Sequence, residues 1–278
     1  MRAQLCETVT GDTMAQLLAA REAAAGDMVE LRLDGVRDLD VERALHGRRS
    51  PVIVTCRPAW EGGRFDGSEQ ARAAFLRRAI EAGADYVDIE WRALAQAERR
   101  LFDDLVQGHH EHVVISSHDF TGVPDDLCAL ARAMRAAGAA VIKIAVTVTR
   151  LSESLRLRDI AAEGDAVIIG MGNAGVPTRL LATRFRSRWT YGGPGVAPGQ
   201  IPVSRMIGEF RFREITDQTA IYGVAGEDAL QSQIPSARNA GFAAAGCDAV
   251  CVPLPSTDES DIAAFAEAFG ILGWERCT

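Results

Sequence analysis

Short runs of apolar residues recur along the chain at a nearly constant interval. The eight runs are Gln4–Val9, Met28–Leu33, Val52–Cys56, Tyr86–Ile89, Val113–Ser116, Val141–Val146, Ala166–Gly170 and Trp189–Tyr191. In segments between them, such as Glu69–Ala82 and Asp125–Ala137, apolar side chains return with the spacing of one helix face. Strands that are apolar throughout, each followed by a helix, are typical of a parallel sheet covered on its outer face. Eight such units predict an α/β fold, a (β/α)8 TIM barrel over residues 1–213.

After about residue 213 the pattern restarts with a shorter set of elements. It predicts a strand at Thr219–Val224, a helix at Pro235–Ala245, a strand at Ala249–Pro253 and a helix at Asp258–Leu272. A segment of about 65 residues is marginal as an independent domain. We therefore expect residues 214–278 to form a short C-terminal α/β extension that either packs on the barrel or belongs to a longer chain.

Composition and charge narrow the range of partners. With 278 residues, 47% hydrophobic and 24% charged, the chain has the make-up of a globular protein with a sizeable core. The net charge of −8, with basic residues spread along the chain, argues against nucleic-acid and anionic-membrane binding. Neither a membrane-length apolar run nor a signal-peptide pattern is present. We expect a cytoplasmic protein that binds a small molecule and is compatible with a homodimer.

The cysteines and histidines do not predict a metal site. The six cysteines are scattered and contain no CxxC pair, so neither zinc nor a disulfide framework is indicated. His109, His110 and His112 cluster around Glu111 between a helical stretch and a strand. A solvated loop explains this cluster better than a metal site does.

Polar residues interrupt the apolar pattern mainly where the predicted strands end. In chain order they are Glu30, Arg32, Asp34, Arg57, Glu61, Asp88, Glu90, His118, Asp119, Lys143, Arg179 and Gln200. Catalytic groups of a (β/α)8 barrel collect at the carboxyl ends of the strands and in the loops that follow. Charged residues in apolar strands are costly unless they are paired or functional. These residues are therefore the candidates for an active site.

Lys143 and His118 form the strongest candidate catalytic pair. Lys143 has two apolar residues on each side, and burial inside the barrel near arginines would leave it a nucleophilic amine. The alternative is a lysine whose ammonium reaches water past the strand end. His118 ends the preceding strand, where most histidines are structural. Beside an imine-forming lysine, however, a neutral imidazole can move protons, and Asp119 could orient it.

Several motifs resemble those of the type I 3-dehydroquinate dehydratases over residues 4–203. They are Glu30-Leu31-Arg32-Leu33-Asp34, Thr55-Cys56-Arg57, Glu61-Gly62-Gly63, Asp88-Ile89-Glu90, Ser116-Ser117-His118-Asp119-Phe120, Ile142-Lys143-Ile144-Ala145, Met171-Gly172 and Ala197-Pro198-Gly199-Gln200. Each is weak alone, but their order and spacing together are specific. One position departs from the family, because Val196 stands where a serine is usual.

The resemblance implies a lyase of the shikimate pathway that needs neither a cofactor nor a metal. Lys143 would form a Schiff base with the ketone of 3-dehydroquinate, His118 would move protons, and Glu61 would support His118. The other implied substrate-binding residues fall into two groups. Arg179 and Gln200 would hold the carboxylate, while Glu30, Arg32 and Arg57 would bind the hydroxyl and carbonyl side. An arginine fork suits a carboxylate by its geometry.

The C-terminal segment resembles the opening of a shikimate dehydrogenase. The likeness rests on Ile221-Tyr222-Gly223-Val224-Ala225-Gly226, on Ser232, Pro235, Asn239 and Phe242, and on Ala249-Val250-Cys251-Val252-Pro253-Leu254. Ile234 and Arg238 depart from that family's pattern. Because the stretch that would carry the dehydrogenase's catalytic lysine does not follow, we expect no dehydrogenase activity.

Three alternatives stay open. Gly170-Met171-Gly172-Asn173-Ala174-Gly175 has the form of a dinucleotide-binding fingerprint, but the acidic residue expected about 20 positions later is missing. Another imine-forming barrel enzyme, such as a class I aldolase, would share the lysine but would need a phosphate cradle. An inactive barrel that serves as a binding partner is the third.

Overall fold

The computed structural model describes residues 2–95, 99–193, 195 and 197–277. Its eight barrel strands are β1 (Gln4–Val9), β2 (Met28–Arg32), β3 (Val52–Thr55), β4 (Tyr86–Glu90), β5 (Val113–Asp119), β6 (Val141–Thr147), β7 (Ala166–Met171) and β8 (Trp189–Gly192). They form one sheet in the order β7-β6-β5-β4-β3-β2-β1-β8, and the pairs from β1 to β5 are parallel. The predicted (β/α)8 TIM barrel is confirmed.

Helices alternate with these strands. They are α1 (Met14–Ala23), α2 (Val41–Leu45), α3 (Glu69–Glu81), α4 (Trp91–Leu94), α5 (Arg100–Gly108), α6 (Leu127–Ala136), α7 (Leu155–Ala162), α8 (Val176–Leu180) and α9 (Val203–Gly208). The two helices predicted by periodicity, α3 and α6, agree with the structure to within two residues at each end. Ser68 begins α3 as its N-cap, because its side chain accepts from the backbone N–H of Ala71. No helix in the described part of the chain is long and apolar enough to cross a membrane.

Contacts within the chain divide it into two compact units. The Lys143 unit comprises Leu5–His118 and Cys128–Ile144, and the Arg179 unit comprises Met1–Gln4, Asp119–Leu127 and Ala145–Thr278. Each unit is described by itself below.

In the Lys143 unit, strand register sets polar side chains beside one another. Glu30 is opposite Thr8, Thr55 is opposite Asp88, and Glu90 is opposite Ser116. Most of the other strand residues are buried aliphatic side chains, such as those of Val52–Val54. Adjacent positions in a parallel ladder keep neighbouring side chains within hydrogen-bond reach. The polar residues of these strands therefore contact one another inside an apolar frame.

The Arg179 unit contains the C-terminal extension, which is a second, three-stranded sheet with two helices. Its elements are β9 (Ala220–Ala225), α10 (Ile234–Ala244), β10 (Ala249–Leu254), α11 (Glu259–Phe269) and β11 (Ile271–Arg276), and the strands are parallel in the order β10-β9-β11. The Phe185 ring packs 4.5 Å from that of Phe269, which itself lies 4.7 Å from Phe265. The extension therefore packs on barrel residues of this unit.

The helix predicted over Asp258–Leu272 is wrong at its C-terminal end. It stops at Phe269, because Gly270 adopts a left-handed conformation with φ of 63°. The residues that follow, Ile271–Arg276, form β11 and pair with β9. Their alternate half-buried and exposed pattern is that of an edge strand.

Candidate active site

Lys143 lies at the third position of β6 and is 6% exposed. Its Nζ is 3.2 Å from Asp88 Oδ2 and 3.4 Å from Glu30 Oε1. The side chain is therefore buried against carboxylates, and the alternative of a lysine that reaches water past the strand end is excluded. The sequence predicted nearby arginines, and Arg57 contacts the same Asp88 Oδ2 at 3.0 Å.

Arg57 is the centre of a buried polar network beside Lys143. Its guanidinium contacts Glu90 Oε1 at 2.7 Å, Ser116 Oγ at 2.9 Å and Asp88 Oδ2 at 3.0 Å. Ser116 in turn donates to Asp88 Oδ1 at 2.5 Å. Although burial acts against its charge, Arg57 and Lys143 together hold the pKa of Asp88 well below its usual value. Asp88 thus links the Arg57 network to the candidate nucleophile.

Two hydroxyl groups fix Glu30. Thr8 donates to Oε2 at 3.0 Å and Thr55 donates to Oε1 at 2.9 Å. Glu30 reaches Lys143 through the same Oε1. Three neighbours therefore define the carboxylate plane, which leaves it little rotational freedom.

His118 pairs with Glu61 in this unit. Its Nδ1 lies 2.9 Å from Glu61 Oε1. Burial, together with the charges of Arg57 and Lys143, lowers the pKa of His118 well below its usual value, so the imidazole is neutral near pH 7. Burial raises the pKa of Glu61 to about 8. The suggested orienting group, Asp119, accepts hydrogen bonds from Thr121 and Gly122 in a turn, and the carboxylate that contacts His118 is Glu61.

Asp34 shapes the loop that carries Glu61. Arg32 donates to both oxygens of Asp34 at 2.8 and 2.9 Å, and the backbone N–H groups of Arg57 and Arg64 donate to the same carboxylate at 3.3 and 3.0 Å. A Cβ at Gly63 would come within 2.1 Å of the Arg57 carbonyl oxygen, so this turn requires glycine. Asp34 therefore joins Arg32 to both ends of the Arg57–Arg64 loop.

In the Arg179 unit, Arg179 lies next to the loop of Gln200. It is 2% exposed, and its NH1 and NH2 donate to the carbonyls of Tyr191 at 3.4 Å and Pro198 at 3.2 Å. Gln200 Oε1 accepts from the backbone N–H of Ala197. No carboxylate of the described residues pairs with Arg179, and burial lowers the pKa of its guanidinium to about 10. A buried cation without a counter-ion is suited to an anionic ligand.

A family model described as Type I 3-dehydroquinase matches residues 5–217 of the chain. The chain belongs to this family.

Relatives agree with this assignment. The 3-dehydroquinate dehydratase of Methanothrix thermoacetophila is 39% identical over 199 residues, which are 69% of this chain and 84% of that protein. The chloroplastic bifunctional 3-dehydroquinate dehydratase/shikimate dehydrogenase of Arabidopsis thaliana is 30% identical over 265 residues. The match covers 90% of this chain but only 44% of the plant protein.

Solved structures agree as well. The 3-dehydroquinate dehydratase of Geobacillus kaustophilus superposes with a TM-score of 0.65 at 28% identity, covering 74% of this chain and 89% of that one. The dehydroquinate dehydratase and shikimate dehydrogenase of S. pombe gives a TM-score of 0.62, covering 94% of this chain and 54% of that one. At 18% identity the second match shows the fold alone.

The candidate site also contains residues that the sequence analysis did not propose as site residues. Thr8, Ser116 and Arg72, to which the sequence analysis assigns no role, contact Glu30, Arg57 and Glu90, respectively. Arg72 is fully buried, contacts Glu90 and lies 4.5 Å from the Phe102 ring centroid. The sequence position of Arg72 indicates this burial, because Arg72 shares a helix face with Leu76 and Ala79. A charged residue on an apolar helix face needs a buried partner.

The histidine cluster and the glycine motif form no second site in the residues that the structure describes. His110 and Glu111 are exposed and paired with each other, and no group of three or more His, Cys, Asp or Glu side chains could hold a metal there. The glycine motif forms a 3-10 turn that enters the five-residue helix α8. A Cβ at Gly175 would come within 2.2 Å of Gly170, so close packing accounts for these two glycines, and Gly172 has a φ of +82°. Val196 lies outside the described residues.

Proposed function

We propose that the protein dehydrates 3-dehydroquinate to 3-dehydroshikimate through a Schiff base on Lys143, as a carbon–oxygen lyase of the shikimate pathway. The observation that carries this proposal is the buried Lys143 amine, held by Glu30 and Asp88 beside a His118 whose environment keeps it neutral. The names of the matched relatives support the substrate.

The reaction begins when the Lys143 ammonium passes a proton to His118 and the neutral Nζ attacks the ketone carbon. His118 returns this proton to the carbinolamine hydroxyl, so that it can leave as water. The carbinolamine loses water to give an iminium, which acidifies the adjacent C–H bond. Neutral His118 removes that proton, and the C–O bond of the hydroxyl group on the next carbon breaks as the double bond forms. His118 returns its proton to the leaving hydroxyl. Hydrolysis of the imine then releases 3-dehydroshikimate and frees Lys143, so the net change is the loss of one water.

Glu61 supports His118 in this scheme. Its Oε1 lies 2.9 Å from Nδ1 and orients the ring, and with the ring proton on Nδ1 the Nε2 atom is the basic nitrogen. Because the pKa of Glu61 is raised to about 8, the pair holds a proton over the neutral range. Glu30, Arg32 and Arg57 are proposed to bind the hydroxyl and carbonyl side of the substrate.

Arg179 and Gln200 are proposed to bind the substrate carboxylate. The burial of Arg179 without a counter-ion among the described residues supports this role. The planar guanidinium matches the geometry of a carboxylate, whereas an aldolase acting on sugar phosphates would need a cradle of backbone N–H groups for the phosphate.

We further propose that residues 1–213 are the dehydratase domain and that residues 214–278 correspond to the opening of a shikimate dehydrogenase. The end of the family match at residue 217 and the name of the Arabidopsis relative support this division. The cytoplasmic location and the homodimer stay predictions.

The test is turnover of 3-dehydroquinate, followed by the ultraviolet absorbance of the conjugated product. Wild-type protein should form 3-dehydroshikimate, and His118→Ala should lower kcat by about 10²–10⁴-fold because the positioned base is lost. His110→Ala, which changes an exposed histidine outside the site, is the matched control and should retain full activity. Equal rates for His118→Ala and wild type would refute the assigned role.

A further inference from the structure

A single buried carboxylate of the extension fixes the loop after β6. Asp261, in the first turn of α11, is 1% exposed. Its Oδ2 accepts from the backbone N–H of Leu151 at 2.9 Å, and its Oδ1 accepts from the backbone N–H and hydroxyl of Ser152 at 2.9 and 2.6 Å. Arg150 Nε lies 3.7 Å from the same Oδ1. Charge-assisted bonds of this kind are stronger than neutral ones, so they fix the loop at residues 150–152.

Other contacts make α11 a rigid anchor for this carboxylate. Arg158 donates to the carbonyl of Ala268 at 2.6 Å, and Arg184 donates to the carbonyl of Phe269 at 3.1 Å. The Phe185 ring packs against that of Phe269. The helix is therefore attached at both ends, through Asp261 at its start and these arginines at its end.

From this loop a series of hydrogen bonds leads to Arg179. The backbone N–H of Val148 donates to the carbonyl of Met171 at 3.1 Å, and that of Gly172 donates to the carbonyl of Pro198 at 3.3 Å. Arg179 NH2 donates to the same Pro198 carbonyl at 3.2 Å. The loops after β6, β7 and β8 are thus joined one to the next, and the last of them contains Gln200.

These loops have little room to move independently. Gly199 has a φ of +73°, and a Cβ there would come within 2.4 Å of the Gly172 carbonyl oxygen. Contacts this close transmit a displacement of one loop to the next, because packed groups shift together.

We propose that Asp261 is a positioning residue for substrate binding, acting through the loops after β6 and β7 on Arg179 and Gln200. The inference rests on the proposed function of these two residues. It gives the C-terminal extension, which is outside the matched dehydratase family region, a role in the dehydratase reaction.

The expected signature is a change in KM and not in kcat. Arg179 and Gln200 would hold a carboxylate that does not react, so a displaced Arg179 weakens binding in the ground state and the transition state alike. A general loss of folded enzyme would instead lower the apparent kcat and leave KM unchanged.

Steady-state kinetics with 3-dehydroquinate on the full chain test this inference. Asp261→Asn replaces one acceptor with an NH2 group that faces an N–H donor, and we expect KM to rise about tenfold with kcat within about twofold of wild type. Ser152→Ala removes only the hydroxyl bond and should raise KM by about threefold. It also keeps the test decisive if Asp261→Asn does not fold. The matched control is Glu259→Gln, which removes a carboxylate of the same turn that pairs with Arg276 and should leave KM unchanged.

A double-mutant cycle with Arg179→Gln adds a second readout. If Asp261 acts through Arg179, the Asp261→Asn change should raise KM in the wild-type background but hardly at all in the Arg179→Gln background. Wild-type KM values for both Asp261→Asn and Ser152→Ala, or equal KM increases in both backgrounds, would overturn the inference. Failure of the proposed function would appear separately, as a wild-type protein that does not convert 3-dehydroquinate.

Discussion

Arg57 and Arg179 are both buried guanidinium groups, yet their surroundings differ. Arg57, in the Lys143 unit, contacts two carboxylates and a hydroxyl group. Arg179, in the Arg179 unit, contacts two backbone carbonyls, and its Nε has no hydrogen-bond partner among the described residues. Accordingly, the neighbouring Asp88 and Glu90 raise the pKa of Arg57 despite its burial, whereas burial alone lowers that of Arg179.

This difference separates two uses of a buried charge. Arg57 is neutralised by the protein itself, so its network keeps its arrangement before any substrate binds. Arg179 has no carboxylate partner among the described residues, so the folded protein bears its desolvation cost, and the counter-ion that we propose for it is the substrate carboxylate. Replacement of arginine by glutamine should therefore mainly lower the stability of the fold at position 57 and mainly weaken substrate binding at position 179.

Arg57→Gln should produce the largest change in stability. It leaves Asp88 and Glu90 buried and adjacent without their shared cation, which should lower the free energy of unfolding by about 3–5 kcal/mol. Urea unfolding at neutral pH measures this loss. Arg78→Gln, which breaks an exposed pair with Glu42, is the control and should cost less than about 1 kcal/mol. A loss for Arg57→Gln no larger than that of the control would contradict the comparison.

Arg179→Gln should leave stability within about 1 kcal/mol of wild type, because no ion pair is broken. The same change should raise KM for 3-dehydroquinate on the order of a hundredfold, since the substrate carboxylate loses its charged partner. Kinetics and urea unfolding on one preparation give both values. The comparison fails if Arg179→Gln unfolds as easily as Arg57→Gln, or if its KM is unchanged.

Glu61→Gln should show a smaller effect that depends on pH. Burial raises the pKa of Glu61 from its usual 4.5 to about 8, so the folded protein binds this proton more tightly than the unfolded chain does. Unfolding then releases a proton between these values, and the wild-type contribution to stability falls as pH rises through them. Glutamine does not titrate, so the stability of Glu61→Gln relative to wild type should increase from about pH 5 to about pH 8, on the order of 2 kcal/mol.

Unfolding curves at the two pH values measure this difference. Glu81→Gln, on the exposed end of α3, is the control and should show no such trend. A stability difference between Glu61→Gln and wild type that is equal at both pH values would show that Glu61 is not held protonated by its surroundings.

The strands of the barrel could be predicted from the sequence because each is a short apolar run, and β2 to β6 each end on a polar residue. The same pattern places Lys143 and Glu30 on barrel strands. The hydrogen-bond partners of these two residues could not be predicted, because they depend on the register between strands that are distant in sequence. Strand β11 was missed because Ile271 and Leu272 extend the apolar face of α11, and only Gly270 marks the end of the helix.

The most direct test of the central claim is reductive trapping of the imine. Wild-type protein is incubated with 3-dehydroquinate and borohydride, digested and analysed by mass spectrometry, with Lys143→Ala treated in parallel. The account predicts one covalent adduct on the peptide that contains Lys143, and neither adduct nor turnover for Lys143→Ala. An adduct on a peptide that does not contain Lys143, or turnover by wild type without any adduct at Lys143, would contradict it.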